Sequence, residues 1–287
     1  MGELIDRELG EDRDGLRELI DRAIAEDLGD GDLTSRAVIG PESRVRGAIV
    51  QKAPGVLAGV EVARAVFERV DPEVSFQVAA AEGDWRECGP VAELAGPTAS
   101  ILAAERTAIN FLALLSGVAT LTARYVAAVK GTGVTILDTR KTVPGLRALQ
   151  KAAVLVGGGA SHRAGLHDAV LVKENHVRAA GGAAQAARLA LAGAPEGVMV
   201  EVEVETLEEL DEVLEAGVER VLLDNMALAD LASSVELARG RAQLEASGGI
   251  TLETVRAVAE TGVDFISVGA LTHSARALDL SLLLDPP

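Results

Sequence analysis

The amino-acid sequence predicts an α/β protein, an incomplete β/α barrel of about seven strands that follows an N-terminal α+β domain with an open sheet or sandwich. From Val134 onward, short apolar runs alternate with helical stretches, which is typical of parallel strands joined by helical crossovers. The repeat of about 20 to 35 residues favours a closed or nearly closed barrel over an open sheet. Before Pro97 the apolar runs are short and separated by turn signals, which indicates the smaller α+β unit.

The N-terminal unit begins with a predicted helix over residues 15–28, which ends at the polar turn of residues 29–32. A second helix is predicted over 60–70. Strands are predicted at 46–51, 55–59, 74–79 and 91–94.

A long apolar helix is predicted from Pro97 to Val129, with Gly117 as its break point. We place the domain boundary near this helix. The N-terminal domain is expected to cover residues 1–115 and the barrel 116–271, with a C-terminal helix at about 272–287 packing on the first domain.

The barrel region contains six clear apolar runs, and a seventh strand is indicated near Ser161. The predicted strands are 134–137, 169–172, 198–204, 220–223, 242–246 and 265–268. The predicted helices are 143–155, 179–191, 207–215, 228–238, 252–260 and 272–284. No eight-fold count and no sequence repeat emerges.

Composition excludes several classes of protein. The formal net charge is -17 over 287 residues and aromatic residues make up 2%, which argues against a nucleic-acid partner or an anionic membrane surface. Cys88 is the only cysteine, so an intrachain disulfide cannot form. The acidic start lacks a secretory signal, and no apolar run looks long enough to span a bilayer. We therefore expect a cytoplasmic protein.

Scarce cationic residues are concentrated after the predicted strands, where barrel enzymes carry their active sites. Arg140 and Lys141 follow the first strand, His162 and Arg163 lie near the indicated seventh strand, and Lys173 follows the next one. Helix caps explain single Asp, Asn or Ser residues here, but they do not call for clustered Arg, Lys and His. Within a strongly acidic chain, this cluster predicts a pocket for a small polyanion.

The last two predicted strands are followed by glycine loops. The first loop is Ser247-Gly248-Gly249 and the second is Gly269-Ala270. Such loops let backbone N–H groups approach an anion at a helix N-terminus, and the final loops of a β/α barrel commonly bind phosphate. Ordinary turn glycines are the alternative interpretation.

Lys173 allows two chemical interpretations, a Schiff-base nucleophile or a cation that binds substrate. Glu203 and Asp224 could hold a divalent metal or sugar hydroxyls, or form a structural ion pair with Lys173. His167 and His176 could equally serve only as hydrogen-bonding residues within their loops.

Several motifs together resemble the quinolinate phosphoribosyltransferase family. In chain order they are Glu26–Thr34, Glu105–Phe111, Asp138–Thr142, Ser161–Arg163, Lys173–His176, Glu201–Glu205, Leu223–Asn225, Ala246–Gly249 and Val268–His273. They cover nearly the whole chain in the family's order. The departures are small: Ala160-Ser161 stands where an Asn commonly precedes the His, and Met226 replaces a frequent Phe.

The resemblance implies an enzyme that joins quinolinate to 5-phosphoribosyl-1-pyrophosphate (PRPP) with Mg²⁺, releasing pyrophosphate and CO₂ and giving nicotinate mononucleotide for NAD biosynthesis. It also implies a homodimer in which Arg106 is supplied across the interface.

The same resemblance implies a role for each group of site residues. Quinolinate would be bound by Arg106, Arg140, His162, Arg163 and Lys173. The phosphoribosyl donor would be bound by Lys141, Glu203, Asp224, Ser247, Gly248, Gly249, Gly269, Ala270 and His273. Catalysis would depend on Lys141, Lys173, Glu203 and Asp224, with Glu203 and Asp224 holding Mg²⁺ directly or indirectly.

Three alternatives remain open from the residues alone. A paralogous phosphoribosyltransferase could act on nicotinate or another aromatic acid, although three arginines favour a diacid over a monoacid. A Schiff-base barrel aldolase could use Lys173. A non-catalytic phosphometabolite-binding protein would be expected to have lost charged residues at the strand ends, and none is missing.

Overall fold

A computed structural model describes residues 13–286, which divide into two compact units. The first unit takes in the chain up to Ala123, the segment Val143–Gly158 and the chain from Ser274 onward. The second consists of Arg124–Thr142 and Gly159–His273.

The first unit is built on a four-stranded antiparallel sheet with helices from two parts of the chain. Its helices are α1 (Arg13–Leu28), α2 (Leu33–Val38), α3 (Val60–Val70), most of α4 (Thr98–Ala128) and α5 (Arg147–Val156). Its strands are β1 (Arg44–Gln51), β2 (Gly55–Val56), β3 (Ser75–Val78), β4 (Trp85–Arg86), β5 (Gly89–Pro97) and β12 (Leu280–Leu284). The large sheet has the order β12-β1-β5-β3, and β2 pairs with β4.

The core of this unit forms where α3 meets the sheet. In α3, apolar residues recur at helical spacing, so Val62, Val66 and Phe67 are buried together. Phe67 is completely buried, and its ring centroid lies 5.7 Å from that of Phe76 on β3. The predicted boundaries of α3 are confirmed.

The sequence analysis missed α2, although its start signal is present. Asp32 is its N-cap, and the side chain accepts hydrogen bonds from the N–H groups of Thr34 and Ser35. The polar turn of residues 29–32 therefore ends α1 and also begins α2.

The predicted break at Gly117 is wrong, because α4 runs without interruption from Thr98 to Ala128. Gly117 has a packing role instead: a Cβ at this position would overlap the carbonyl oxygen of Arg276. The absence of a side chain thus lets the C-terminal segment pass directly against the helix.

The expectation that no apolar run could span a bilayer is also wrong on length and composition. Among the described residues, α4 alone is long and apolar enough. However, 61% of the apolar 18-residue segment within this helix is buried, as in the core helix of a folded domain.

The second unit is built on a six-stranded parallel sheet. Its strands are β6 (Thr135–Leu137), β7 (Val170–Val172), β8 (Val200–Val204), β9 (Arg220–Asp224), β10 (Gln243–Ser247) and β11 (Phe265–Ser267). The order is β6-β11-β10-β9-β8-β7, and Ala160 adds an isolated parallel bridge to Leu137 at the β6 edge. The six predicted strands are confirmed, the seventh is reduced to this bridge, and the fold is the predicted incomplete barrel.

The helices of this unit follow the strands as expected, with one division. They are α6 (Glu174–Ala180), α7 (Ala183–Gly193), α8 (Leu207–Glu215), α9 (Leu228–Ala238), α10 (Val255–Ala259) and α11 (Ala270–His273). The single helix predicted over 179–191 is interrupted at Gly181 and Gly182, whose φ angles of 88° and 132° are incompatible with a continuing helix.

The predicted C-terminal helix is wrong. The helix α11 ends at His273, and Leu280–Leu284 form β12, which pairs antiparallel with β1 in the sheet of the first unit. A run of four leucines and a serine fits either a helix or a strand by periodicity, and the open edge of β1 provides the partner that decides for the strand.

Gly117→Ala should lower the free energy of unfolding by about 1–3 kcal/mol, because the new methyl group must displace the backbone at Arg276. Alanine's higher helix propensity opposes this loss only partly. Gly193→Ala is the matched control, since it also lies in a helix and a Cβ there would meet nothing within 4 Å. Urea unfolding of both variants measures the difference, and equal stability of Gly117→Ala and wild type would contradict the close approach.

Candidate active site

A cavity of about 530 Å³ lies at the carboxyl ends of the barrel strands. On β9 and β10, lining residues alternate with buried apolar ones, so each of these two strands contributes positions two apart. The lining residues are Thr139, Arg140, Lys141, His162, Arg163, Leu171, Lys173, Glu203, Leu222, Asp224, Asn225, Glu245, Ser247, Gly248, Gly249 and Ser267. Four lysine and arginine side chains face three carboxylates, which is a strong local enrichment of positive charge in an acidic chain.

Asp138 joins the two cationic segments of the cavity. It is completely buried at the end of β6, and its Oδ1 accepts the backbone N–H of His162 at 2.9 Å. Its own N–H donates to the carbonyl of Ala160. Since Arg140 follows Asp138 by two residues, these bonds hold Arg140 and His162 on the same side of the barrel.

Arg140 and Arg163 form the strongest anion-binding feature. Both line the cavity, and burial followed by the charge of Arg140 lowers the pKa of Arg163. The Nη1 of Arg163 donates to the carbonyl of Ala169 at 3.2 Å, which fixes one side of the guanidinium. Two neighbouring guanidinium groups repel each other until an anion lies between them, and their planar forks suit carboxylates.

Lys173, Glu203 and Asp224 form a mixed-charge group on β7, β8 and β9. The Nζ of Lys173 lies 2.6 Å from Oε2 of Glu203, so the structural ion pair considered from the sequence is present. Burial and then the negative charge of Glu203 raise the pKa of Asp224. The side chain of Lys173 is 50% exposed, whereas Schiff-base lysines are typically desolvated, which disfavours the aldolase alternative.

The first glycine loop requires its glycines. Gly248 and Gly249 have φ angles of 95° and 61°, and a Cβ on Gly248 would overlap the side chain of Asn225. The backbone of this loop can therefore approach a ligand closely.

The second glycine loop packs behind Lys141. The hydroxyl of Thr272 donates to the carbonyl of Lys141 at 2.7 Å, and the aliphatic chain of Lys141 passes close to Gly269. The helices after the two loops are five and four residues long, shorter than predicted, so a helix dipole contributes little.

Not every predicted site residue lies at the cavity. Among the residues that the structure describes, the cavity lining does not include Arg106, Gly269, Ala270 or His273. Arg106 lies on α4 in the first unit, with 63% of its side chain exposed and Glu105 3.9 Å away.

His176 has a local role. Its Nδ1 accepts the N–H of Lys173 at 2.9 Å, which caps α6. His167 lies against Gly165 in the loop after Arg163.

A buried charge network below the cavity was missed by sequence reasoning. Glu201 and Glu245 are completely buried, and Arg220 donates to both, through Nε at 3.1 Å and Nη2 at 2.8 Å respectively. Its guanidinium also lies 4.1 Å from the ring centroid of Phe265. The sequence signal that could have revealed this network is that each of its three residues is a charged residue within a predicted apolar strand, at a position that faces the barrel interior.

His162 completes this network. Its Nε2 lies 2.9 Å from Glu201 and 3.5 Å from Glu245. Burial alone would raise the pKa of Glu201, but the contact with His162 and the charge of Arg220 outweigh burial and lower it.

Two groups of side chains have the donor chemistry for a cation. His162, Glu201 and Glu245 have ligand atoms within 4.8 Å of one another, but Arg220 already donates to both glutamates. Glu203 and Asp224 offer carboxylate oxygens in the open cavity, where the raised pKa of Asp224 reflects burial and uncompensated negative charge. The second group therefore fits a hard divalent cation better.

Comparison with known proteins matches this architecture along the chain. Residues 32–116 match the N-terminal domain of quinolinate phosphoribosyl transferase, and residues 118–283 match the C-terminal domain. The chain is 45% identical over 276 residues to nicotinate-nucleotide pyrophosphorylase (carboxylating) of Mycobacterium leprae, covering 94% of this chain and 97% of that protein. It is 41% identical to the probable nicotinate-nucleotide pyrophosphorylase (carboxylating) of Bacillus subtilis, covering 93% and 92%.

The solved structure of nicotinate-nucleotide pyrophosphorylase from Francisella tularensis has the same fold. It superposes with a TM-score of 0.91 at 39% identity, covering 95% of this chain and 96% of that one. On the strength of both domain matches and this similarity over nearly the full length, the chain belongs to the quinolinate phosphoribosyl transferase family.

Proposed function

We propose that this chain transfers the phosphoribosyl group of PRPP to quinolinate with decarboxylation, giving nicotinate mononucleotide, pyrophosphate and CO₂ for NAD biosynthesis. The observation that carries the proposal is the adjacent pair Arg140 and Arg163 in a cavity whose opposite side presents carboxylates and a glycine loop. One side of the cavity thus suits a dicarboxylate, and the other suits a phosphorylated sugar.

Arg140 and Arg163 would bind the two carboxylates of quinolinate, with His162 beside them and Lys173 across the cavity. This arrangement orients the pyridine nitrogen toward C1 of the donor ribose. Fixing the two reactants in that geometry replaces a bimolecular encounter and supplies much of the rate enhancement.

The donor side of the cavity would be formed by Lys141 and the glycine loop of residues 247–249. Lys141 would contact the pyrophosphate, and backbone N–H groups of the loop would contact phosphate oxygens. Gly269, Ala270 and His273 would support this side from behind Lys141, to which the second loop is hydrogen-bonded. As the bond from C1 to pyrophosphate breaks, Glu203 and Asp224 would stabilise the positive charge that develops on the ribose.

Mg²⁺ is the proposed cofactor, held directly or indirectly by Glu203 and Asp224. When bound, it would neutralise the charge of the donor's phosphates and so improve pyrophosphate as a leaving group.

Decarboxylation would follow the formation of the bond between C1 and the pyridine nitrogen. The carboxylate next to that nitrogen leaves as CO₂, and its electron pair stays on the ring carbon beside the new pyridinium charge. Protonation of that carbon completes nicotinate mononucleotide. The protein contributes mainly position and electrostatics to this step.

A homodimer with Arg106 supplied by the partner is part of the proposal. It is supported by the exposure of Arg106 on a largely buried helix, where a cation has little structural reason to be. A cytoplasmic location stays a prediction, since named relatives from plants are chloroplastic, as in Arabidopsis thaliana.

The proposed reaction is tested by incubating the protein with quinolinate, PRPP and Mg²⁺, with nicotinate in a parallel reaction. We expect nicotinate mononucleotide and CO₂ from quinolinate alone, because two guanidinium groups select a diacid. Turnover of nicotinate without quinolinate would instead assign the paralogous activity, and turnover of neither would refute the proposed reaction.

Arg106→Ala should nearly abolish turnover while leaving the protein folded, with kcat/KM lowered by about 100-fold or more, because a cation that positions the substrate is lost. Arg17→Ala, another exposed arginine on a helix of the first unit, is the matched control and should retain full activity.

Mixing tests whether the site is shared between subunits. Inactive Arg106→Ala and inactive Lys141→Ala homodimers should regain activity when mixed and allowed to exchange, since each mixed dimer then contains one intact site. No recovery despite demonstrated subunit exchange would rule out a shared site.

Asp224→Asn should remove activity yet raise the melting temperature at about pH 7. The pKa of Asp224 is raised by burial and by Glu203, so its favourable contribution to folding exists below the ordinary carboxyl pKa and is lost as the pH rises through the raised value. The gain should therefore shrink toward about pH 4, which thermal melts across the pH range will measure.

Asp168→Asn provides the opposite case for these melts. Burial alone would raise the pKa of Asp168, but the N–H groups of Ala164 and Gly165 outweigh it and lower the pKa. This variant should lose stability at neutral pH.

A lower melting temperature for Asp224→Asn at about pH 7 would contradict the assignment of the Asp224 charge as destabilising.

A further inference from the structure

Both ring nitrogens of His162 are engaged by the protein rather than directed into the cavity. Its Nε2 lies 2.9 Å from Oε2 of Glu201, and its Nδ1 accepts the backbone N–H of Arg163 at 2.7 Å. Only 6% of the side chain is exposed. Because Nδ1 accepts a hydrogen bond from the next residue and Nε2 lies beside Glu201, the ring is held between the barrel floor and the backbone of Arg163.

The contact with Glu201 places His162 at the end of a rigid chain of side chains. Each oxygen of Glu201 has a separate partner, Oε2 with His162 and Oε1 with Nε of Arg220. Arg220 is held in turn by Glu245 and by the ring of Phe265. Because the two glutamates are completely buried, this chain has little freedom to rearrange.

We propose that Glu201 and Arg220 are positioning residues for the dicarboxylate half of the site, acting through the ring of His162 on the backbone of Arg163, while Glu245, which lines the cavity, holds Arg220 in place. The ring connects the barrel floor to the residue whose guanidinium lines the cavity. This inference rests on the proposed function, because it concerns the binding of quinolinate by Arg163.

The location of the network separates positioning from direct contact. Of the residues described, the cavity lining includes His162, Arg163 and Glu245, but neither Glu201 nor Arg220. A change at Glu201 would therefore reach the substrate only through His162. The donor side, formed by Lys141 and the glycine loop, receives no hydrogen bond from this chain of side chains and should be affected much less.

The test is Glu201→Gln, which preserves size but offers only one acceptor oxygen. Because that oxygen can accept from only one of His162 and Arg220, the amide NH₂ must face the N–H donor of the other residue. We expect the Kd and KM for quinolinate to rise about 10-fold or more, as is usual for residues that orient a binding group. The KM for PRPP should change less than about twofold.

Two further variants keep the test decisive. Glu82→Gln is the matched control, since Glu82 is a buried glutamate in the first unit that accepts the N–H of Val60. It should lower the melting temperature without changing either KM. Arg220→Lys retains the positive charge but replaces the planar fork, whose Nε and Nη2 reach the two glutamates, with a single ammonium group, and it replaces Glu201→Gln if that variant does not fold.

The outcomes separate this inference from the proposed function. If wild-type protein binds quinolinate by calorimetry and turns it over, while the variants match its Kd, the positioning role is refuted and the function stands. A parallel rise in the KM values for both substrates would also refute it, as general damage. If wild-type protein does not bind quinolinate, the proposed function fails and this inference fails with it.

Discussion

The structure depends on charge compensation inside the barrel. Glu201 and Glu245 lose all contact with water on folding, which is costly unless a partner cation and hydrogen bonds replace it. Arg220 provides both, and it can do so because Glu201 and Arg220 occupy partner positions on adjacent parallel strands. The register of β8 and β9 therefore also determines whether the charges are compensated, because a slip by one residue would turn Glu201 away from the barrel interior.

That compensation leaves the upper layer of the barrel free for ligands. Glu203 lies two residues beyond Glu201, and Asp224 lies four residues beyond Arg220. Both face the cavity, where their repulsion is relieved only in part by Lys173. Opposite them, Arg140 and Arg163 repel each other in the same way. In the lower layer Arg220 donates to both glutamates, and burial followed by the charge of Glu201 raises the pKa of Glu245, whereas the upper layer holds separated groups of like charge that a dianion and a cation would satisfy.

Much of this could be predicted from sequence because the barrel strands are short and mostly apolar, and the clusters of polar residues that follow them stand out. The first and last residues of the helices α3, α8 and α9 were predicted correctly because the apolar residues in these segments recur with clear helical periodicity. Local patterns failed where a distant partner decides: Leu280–Leu284 became a strand only because β1 offers an edge, and Gly117 is required only because Arg276 passes by. The cationic residues of the cavity were identified, but the contact of Nε2 of His162 depends on Glu201, thirty-nine positions away, and no local signal reveals it.

The pairing of Lys173 with Glu203 gives the cavity a further property. In the absence of ligand, the Nζ of Lys173 lies 2.6 Å from Oε2 of Glu203 and compensates that carboxylate, and half of the Lys173 side chain remains exposed to water. A substrate carboxylate would compete with Glu203 for the ammonium group of Lys173. The negative charge of Glu203 would then be available to a cation or to an electron-deficient ribose. A carboxylate bound at Lys173 would therefore leave more of the negative charge of Glu203 uncompensated. Through this one ion pair, the two halves of the cavity would be coupled electrostatically.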